Sequence, residues 1–157
     1  MATERRTFLY FIATGLAAPW VGKAGAANSE ERIVVEMVEQ AAKAIAVHGL
    51  GKAYGNTPKS VWSRANGGLY VFVFDRLGIL HHHPQDRMIG HNIGQTRDVR
   101  GEPFIAKILN SLAPPRETVW TEYLWRDPAD GRIRIKRAFS RRVGDLVVTC
   151  GYYLDEA

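Results

Sequence analysis

A chain of 157 residues that is 46% hydrophobic and 24% charged, with 15 Gly, 7 Pro and a single Cys, suffices for one domain with its own core and is short for two. One thiol excludes an internal disulfide scaffold or a cysteine-rich zinc module, so burial must hold the fold together. Of the formal charge of +5, Glu4, Arg5, Arg6 and Lys23 contribute +2, and the remaining +3 is too scattered for the dense basic stripe that nucleic-acid binding wants.

Residues 1–26 read as an export leader rather than as part of the fold. Arg5-Arg6 precedes an apolar run from Phe8 to Ala18, too short to span a bilayer, and Ala24-Gly25-Ala26 supplies an A-x-A cleavage site. Arg5-Arg6-Thr7-Phe8-Leu9 resembles the twin-arginine signal family; Glu4 and Tyr10 depart from its usual pattern, which leaves general secretion as the alternative route. Cleavage after Ala26 leaves residues 27–157 as a single domain in the periplasm, with no stable membrane span. Asn28 caps the first predicted helix, with Glu30 and Glu31 at the positive end of its dipole. Val34, Val38, Ala41, Ile45 and His48 recur at helical spacing through an Ala-rich stretch that ends near Gly49 or Gly51. Residues 54–68, with Gly55, Pro58, Gly67 and Gly68, read as loop and short helix.

Beyond Gly68 the period becomes that of a strand. Residues 69–75 form an aromatic and β-branched run, Arg76-Leu77-Gly78 a tight turn, and 79–83 a second strand stopped by Pro84. Residues 85–101 are a polar loop, and Phe104, Ile105, Ile108, Leu109 and Leu112 mark a second helix over 102–112, stopped by Pro114-Pro115. Three more strands, 118–126, 133–143 and 146–154, are joined by the hairpin turns Asp130-Gly131 and Gly144-Asp145. Strand pairs flanked by helices, without βαβ alternation, predict an α+β fold: five antiparallel strands with the long helix across one face.

Alternation on strands sorts side chains onto faces. Tyr70 and Phe72 share one face, Tyr123 and Trp125 another, and Lys136 stands with Ala138 and Ser140. If these sets point the same way, a lysine sits among aromatic rings, the composition of a pocket for a small anion. Taken singly, each aromatic also suits plain core packing, and Lys136, near Arg132, Arg134, Arg137, Arg141 and Arg142, also suits a solvated strand. The arginines read as a charged outer face, or as a docking surface for an acidic partner.

The order Tyr70-Val71-Phe72-Val73-Phe74-Asp75 with Gly78, then His83-Pro84, Gly90, Gly101 with Phe104-Ile105, Tyr123-Leu124-Trp125, Lys136 and Gly151-Tyr152-Tyr153 resembles the single Cache domain, type 2, a PAS-like extracytoplasmic sensor module. The resemblance runs over about residues 29–154. It implies a long N-terminal helix on a five- to six-stranded antiparallel sheet whose far face and overlying loop hold a short organic acid such as acetate, lactate or pyruvate. Carried onto this sequence, the pocket residues are Trp62, Tyr70, Phe72, His83, Tyr123, Trp125, Lys136 and Tyr152. The resemblance implies ligand capture without chemistry or a cofactor. A module of this kind must hand its occupancy to something, and the expected partners are a membrane kinase, a chemoreceptor or a transporter, with a second copy of the chain as a further one.

A second reading rests on His81-His82-His83. His81 and His83 fall two apart on one strand, and Asp86 or His91 completes a ligand set for a metal-binding protein or metal-dependent hydrolase. Cys150 reads as a small buried hydrophobe on the last strand, and His48 as a core residue of the first helix. No Gly-x-Ser-x-Gly elbow and no phosphate loop is present.

Overall fold

The computed structural model describes residues 29–154; the expected leader, its cleavage site and the Asn28 cap lie outside them. Helix α1, Ser29–His48, carries Glu30 and Glu31 in its first turn and buries Val34, Met37, Val38, Ala41, Ala42, Ala44 and Ile45. Spacings of three and four residues put these on one stripe, and its three small alanines let the helix lie close against the sheet. Residues 46–49 are all exposed, so the last turn projects past the core; His48 is therefore solvated rather than buried as the stripe predicts. Gly49, at φ +74°, breaks the helix, and α2, Leu50–Asn56, follows at once.

Strands β1 (Ser63–Arg64), β2 (Leu69–Asp75) and β3 (Leu80–His82) come next, followed by helix α3 (Phe104–Ser111) and strands β4 (Thr118–Arg126), β5 (Ile133–Val143) and β6 (Leu146–Tyr153). They form a six-stranded antiparallel sheet in the order β1-β2-β6-β5-β4, with β3 also paired to β2. The short β1 is the strand that the sequence leaves unmarked, because two residues carry no alternation. β2 is buried along nearly its whole length, which explains its continuous apolar run: both of its faces are covered.

One face carries the α1 core, with Leu69, Val71, Val73, Phe139, Val148, Cys150 and Tyr152. The opposite face carries Phe72, Phe74, Tyr123, Ala138 and Val147 beneath Phe104, Ile105 and Ile108 of α3. Two of the β5 arginines, expected as part of an outer face, instead stand on the face that carries α1. Arg137 pairs with Glu31 at 2.9 Å and Arg141 with Glu39, tying the sheet to α1, because odd positions of β5 share the Phe139 side. Arg134 pairs with Asp127 and Asp130 in the β4–β5 turn. At the β5–β6 crossing, a Cβ on Gly151 would lie 2.9 Å from the Arg137 carbonyl oxygen and 3.0 Å from the Ala138 methyl. Only glycine permits that approach.

Candidate ligand cavity

Even-numbered positions of β2 and β5 and odd-numbered positions of β4 converge on the face away from α1. Tyr70 and Phe72 from β2, Tyr123 and Trp125 from β4, and Lys136 from β5 form the floor of a cavity of about 110 Å³. Leu80 of β3 and His83 close one side; Met88, Ile93 and Thr96 of the following loop, with Phe104 and Ile105 of α3, form the roof. Pockets for drug-sized ligands run to about 300–1,000 Å³, so this one suits a molecule of few heavy atoms.

The roof is pinned at two points. The loop passes so close to the β2–β3 turn that a Cβ on Gly78, at φ +82°, would lie 2.6 Å from Gly94. Asn92 locks that crossing by donating to the Leu77 carbonyl at 3.1 Å and accepting from the Gly94 N–H at 2.8 Å. Further along, the buried Asp98 carboxylate accepts from the backbone N–H groups of Arg100 (2.8 Å), Glu102 (2.9 Å) and Leu124 (3.1 Å), joining the loop to β4. Burial alone would raise the Asp98 carboxyl; these three donors, with Arg100, hold it below the ordinary Asp range. Phe104 then stacks on Tyr123, ring centroids 4.0 Å apart, and meets Trp125 edge-on at 5.4 Å.

Lys136 is 1% exposed. Its ammonium donates to the Tyr70 hydroxyl at 3.3 Å and lies 4.4 Å from the Tyr70 ring centroid and 5.1 Å from that of Tyr153. Among the described residues no carboxylate comes within 4 Å of it, and no Asp or Glu lines the cavity. Buried cations in proteins are ordinarily paired. Tyr70, Tyr123 and His83 add further donors at the wall. Tyr70 accepts from Lys136 and so has its own O–H to give, and the hydroxyl of Tyr123 makes no hydrogen bond to a described residue. Burial holds the Tyr123 phenol well above its ordinary value, keeping it a protonated donor. Gln85 donates its backbone N–H to Nδ1 of His83 at 3.0 Å, which puts the proton of the neutral ring on Nε2. Burial, with Lys136 nearby, lowers the His83 value below the ordinary one, so the neutral form prevails at neutral pH.

Six of the eight expected pocket residues thus meet around one space: Tyr70, Phe72, His83, Tyr123, Trp125 and Lys136. Trp62 and Tyr152 do not, and both belong to the α1 core. Trp62 donates its indole N–H to Thr57 at 2.6 Å and packs against Tyr54 and His82. Tyr152 donates its hydroxyl to Glu31 at 3.3 Å and meets Trp120. The tyrosine that faces the cavity side is its neighbour Tyr153, paired across the strands with Lys136. Register alone locates it: the Gly144-Asp145 turn pairs Val143 with Leu146, and counting seven back and seven forward pairs Lys136 with Tyr153.

The histidines part company. His81 bonds the Asp75 carboxylate at 2.8 Å, His82 packs between the Tyr54 and Trp62 rings, and His83 enters the cavity. A register shift between Val73 and Phe74 of β2 disrupts the alternation that would align His81 with His83. Among the described residues no three His, Cys, Asp or Glu side chains are placed to hold a metal ion, so the ligand set of His81 and His83 with Asp86 or His91 is not assembled. Cys150 sits in the α1 core, where burial pushes its thiol up to about 12.

A helix-backed antiparallel sheet with an aromatic, donor-rich cavity on its far face defines a PAS-like small-ligand module. Over residues 35–157 the sequence matches the family model Single Cache domain 2, and the chain belongs to that family of extracytoplasmic ligand-binding sensor domains. Solved structures share the fold. A periplasmic sensor domain of a chemotaxis protein has 21% identity over 80% of this chain and 95% of its own, with a TM-score of 0.63. A methyl-accepting chemotaxis protein from Vibrio parahaemolyticus RIMD 2210633 has 18% identity over 80% and 88%, with a TM-score of 0.63. A Cache chemosensory domain described for carboxylic acid recognition has 15% identity over 80% and 93%, again with a TM-score of 0.63. A search of curated proteins found no match. No helix among the described residues is long and apolar enough to cross a membrane.

Proposed function

We propose that this chain is a periplasmic sensor module that captures a short organic acid of the acetate, lactate or pyruvate class and reports its occupancy to a partner. The observation that carries this is the buried Lys136 ammonium, which lacks a carboxylate partner among the described residues and stands at the floor of a cavity lined by donors. A bound carboxylate supplies the missing charge. Lys136 neutralises it, the Tyr123 hydroxyl and the Nε2–H of His83 give it oriented hydrogen bonds, and Phe72, Phe104 and Trp125 exclude water from the pair. The cavity's size favours a ligand of a few carbons, and its lining offers one ammonium and hence a match for one carboxylate.

Delivery rests on the leader, whose twin arginines, apolar run and Ala24-Gly25-Ala26 site support export to the periplasm. There the module hands its state to a membrane kinase, chemoreceptor or transporter, or acts through a homodimer. A panel of acetate, lactate and pyruvate at millimolar concentration, added to protein purified without an affinity tag, tests the reading. A raised melting temperature with at least one acid is expected; no shift with any of them overturns it.

A further inference from the structure

Capture at the cavity is coupled to a proton, and we infer that His83 is the group that takes it up: the site binds an anion and a hydrogen ion together, so that acidification of its surroundings tightens binding. The inference rests on the carboxylate reading of the cavity and goes beyond it by making the second donor titratable.

The geometry that carries it is the placement of an imidazole and an ammonium on the walls of one small space. The His83 ring stands edge-on to Tyr70, centroids 5.3 Å apart, and Tyr70 in turn holds Lys136 at 3.3 Å. In the free site the charge that acts on His83 is that of Lys136, and it opposes a second positive charge. Lys136 faces it from β5, and His82 precedes it on the same chain. Asp86, on the turn that follows, interacts with His82; Tyr70 and Phe72 of β2 are neutral. Nδ1 is engaged by the Gln85 N–H, so the ring meets the cavity as a neutral Nε2–H donor whose further proton must go on Nδ1, at the cost of that bond. A carboxylate seated beside Lys136 reverses the balance: it cancels the ammonium's repulsion and adds an attraction of its own across a space that excludes water. The folded site therefore binds protons more readily when occupied than when empty. By linkage the anion binds more tightly as pH falls through the interval between the two states, by up to about tenfold per pH unit for one proton. Short acids remain largely ionised there, because carboxyls titrate at about 3–5.

Calorimetric titration with sodium acetate at about pH 8 and about pH 6 tests this on the wild-type protein and on His83→Gln, which keeps an N–H donor and loses the ability to titrate. Linkage sets the expectation of a several-fold tighter wild-type Kd at the lower pH and a flat profile for H83Q. An NMR titration of the wild-type His83 ring, with and without acetate, gives the same answer independently of whether the variant folds: acetate is expected to move its midpoint upward. Binding whose strength ignores pH in the wild type, an equal pH dependence in H83Q, or an unmoved His83 midpoint overturns the coupling while leaving the carboxylate site standing. Absence of binding at both pH values, with lactate and pyruvate also silent, removes the site itself and the coupling with it.

Discussion

Replacing Lys136 by Met separates the cost of the buried charge from its use. The free protein holds this ammonium at 1% exposure with one long hydrogen bond to Tyr70 and two aromatic faces at 4.4 and 5.1 Å. A cation over a ring contributes about 0.5–2 kcal/mol, and a single hydrogen bond about 1 kcal/mol. Desolvating an ammonium costs several kcal/mol even after relaxation. The empty site therefore carries a net penalty. Met has nearly the length of Lys without the charge, so K136M should leave the free protein as stable as wild type or more stable by about 1–3 kcal/mol. For a domain of this size each kcal/mol moves the melting temperature by about 3–5 °C. The ligand-induced gain, about 2.7 kcal/mol in wild type at a hundredfold excess over Kd, should vanish in the variant. Denaturant and thermal melts with and without acetate, lactate and pyruvate read both numbers. A variant that loses more than about 1 kcal/mol in the free state would show that the ammonium is already satisfied, contrary to the expected gain from removing an unpaired buried charge. A variant that keeps its acid-induced rise would place the carboxylate elsewhere.

Three further outcomes follow from the same packing. Gly151→Ala forces a methyl to within 2.9 Å of the Arg137 carbonyl and 3.0 Å of the Ala138 side chain, and should cost about 1–3 kcal/mol in urea unfolding. His82 and His83 both titrate below the ordinary value of 6.5, chiefly through burial. Because the folded state then binds fewer protons than the unfolded one, the stability of the free protein should be flat above this region and fall as pH drops through 6.5 and below. Melting curves across that range should show the fall in wild type and lose most of it in a His82→Gln, His83→Gln double variant. Cys150, its thiol pushed up to about 12 within the α1 core, should resist iodoacetamide in native protein and react once denaturant unfolds the chain.

The floor of the cavity was legible because strands announce their faces. Tyr70 with Phe72, Tyr123 with Trp125, and Lys136 with Ala138 fall out of alternation, and the hairpin turns fix which strands neighbour which. The same logic, carried through the β5–β6 register, separates Tyr153 from Tyr152. Choosing Tyr152 by likeness to a family pattern missed a one-residue difference that moves a side chain through the sheet. Trp62 caps the short helical turn that precedes β1, where no alternation applies, and its side chain goes to the α1 core. The roof was hidden for a different reason. Met88, Ile93 and Thr96 reach the cavity because Gly94 crosses Gly78 and Asp98 grips the β4 backbone, contacts between segments that local sequence does not encode. Phe104 and Ile105 were legible as a helix stripe, but their partner became clear only from the stacking of Phe104 on Tyr123.

Charge on the guest is what Lys136 demands, and calorimetry of acetate, lactate and pyruvate beside their neutral amides asks for it directly. One-to-one binding of at least one acid, with its amide bound far more weakly or not at all, is the expected result. An amide that binds as tightly as its acid, or silence from all three acids, would contradict the assignment of this cavity to a carboxylate.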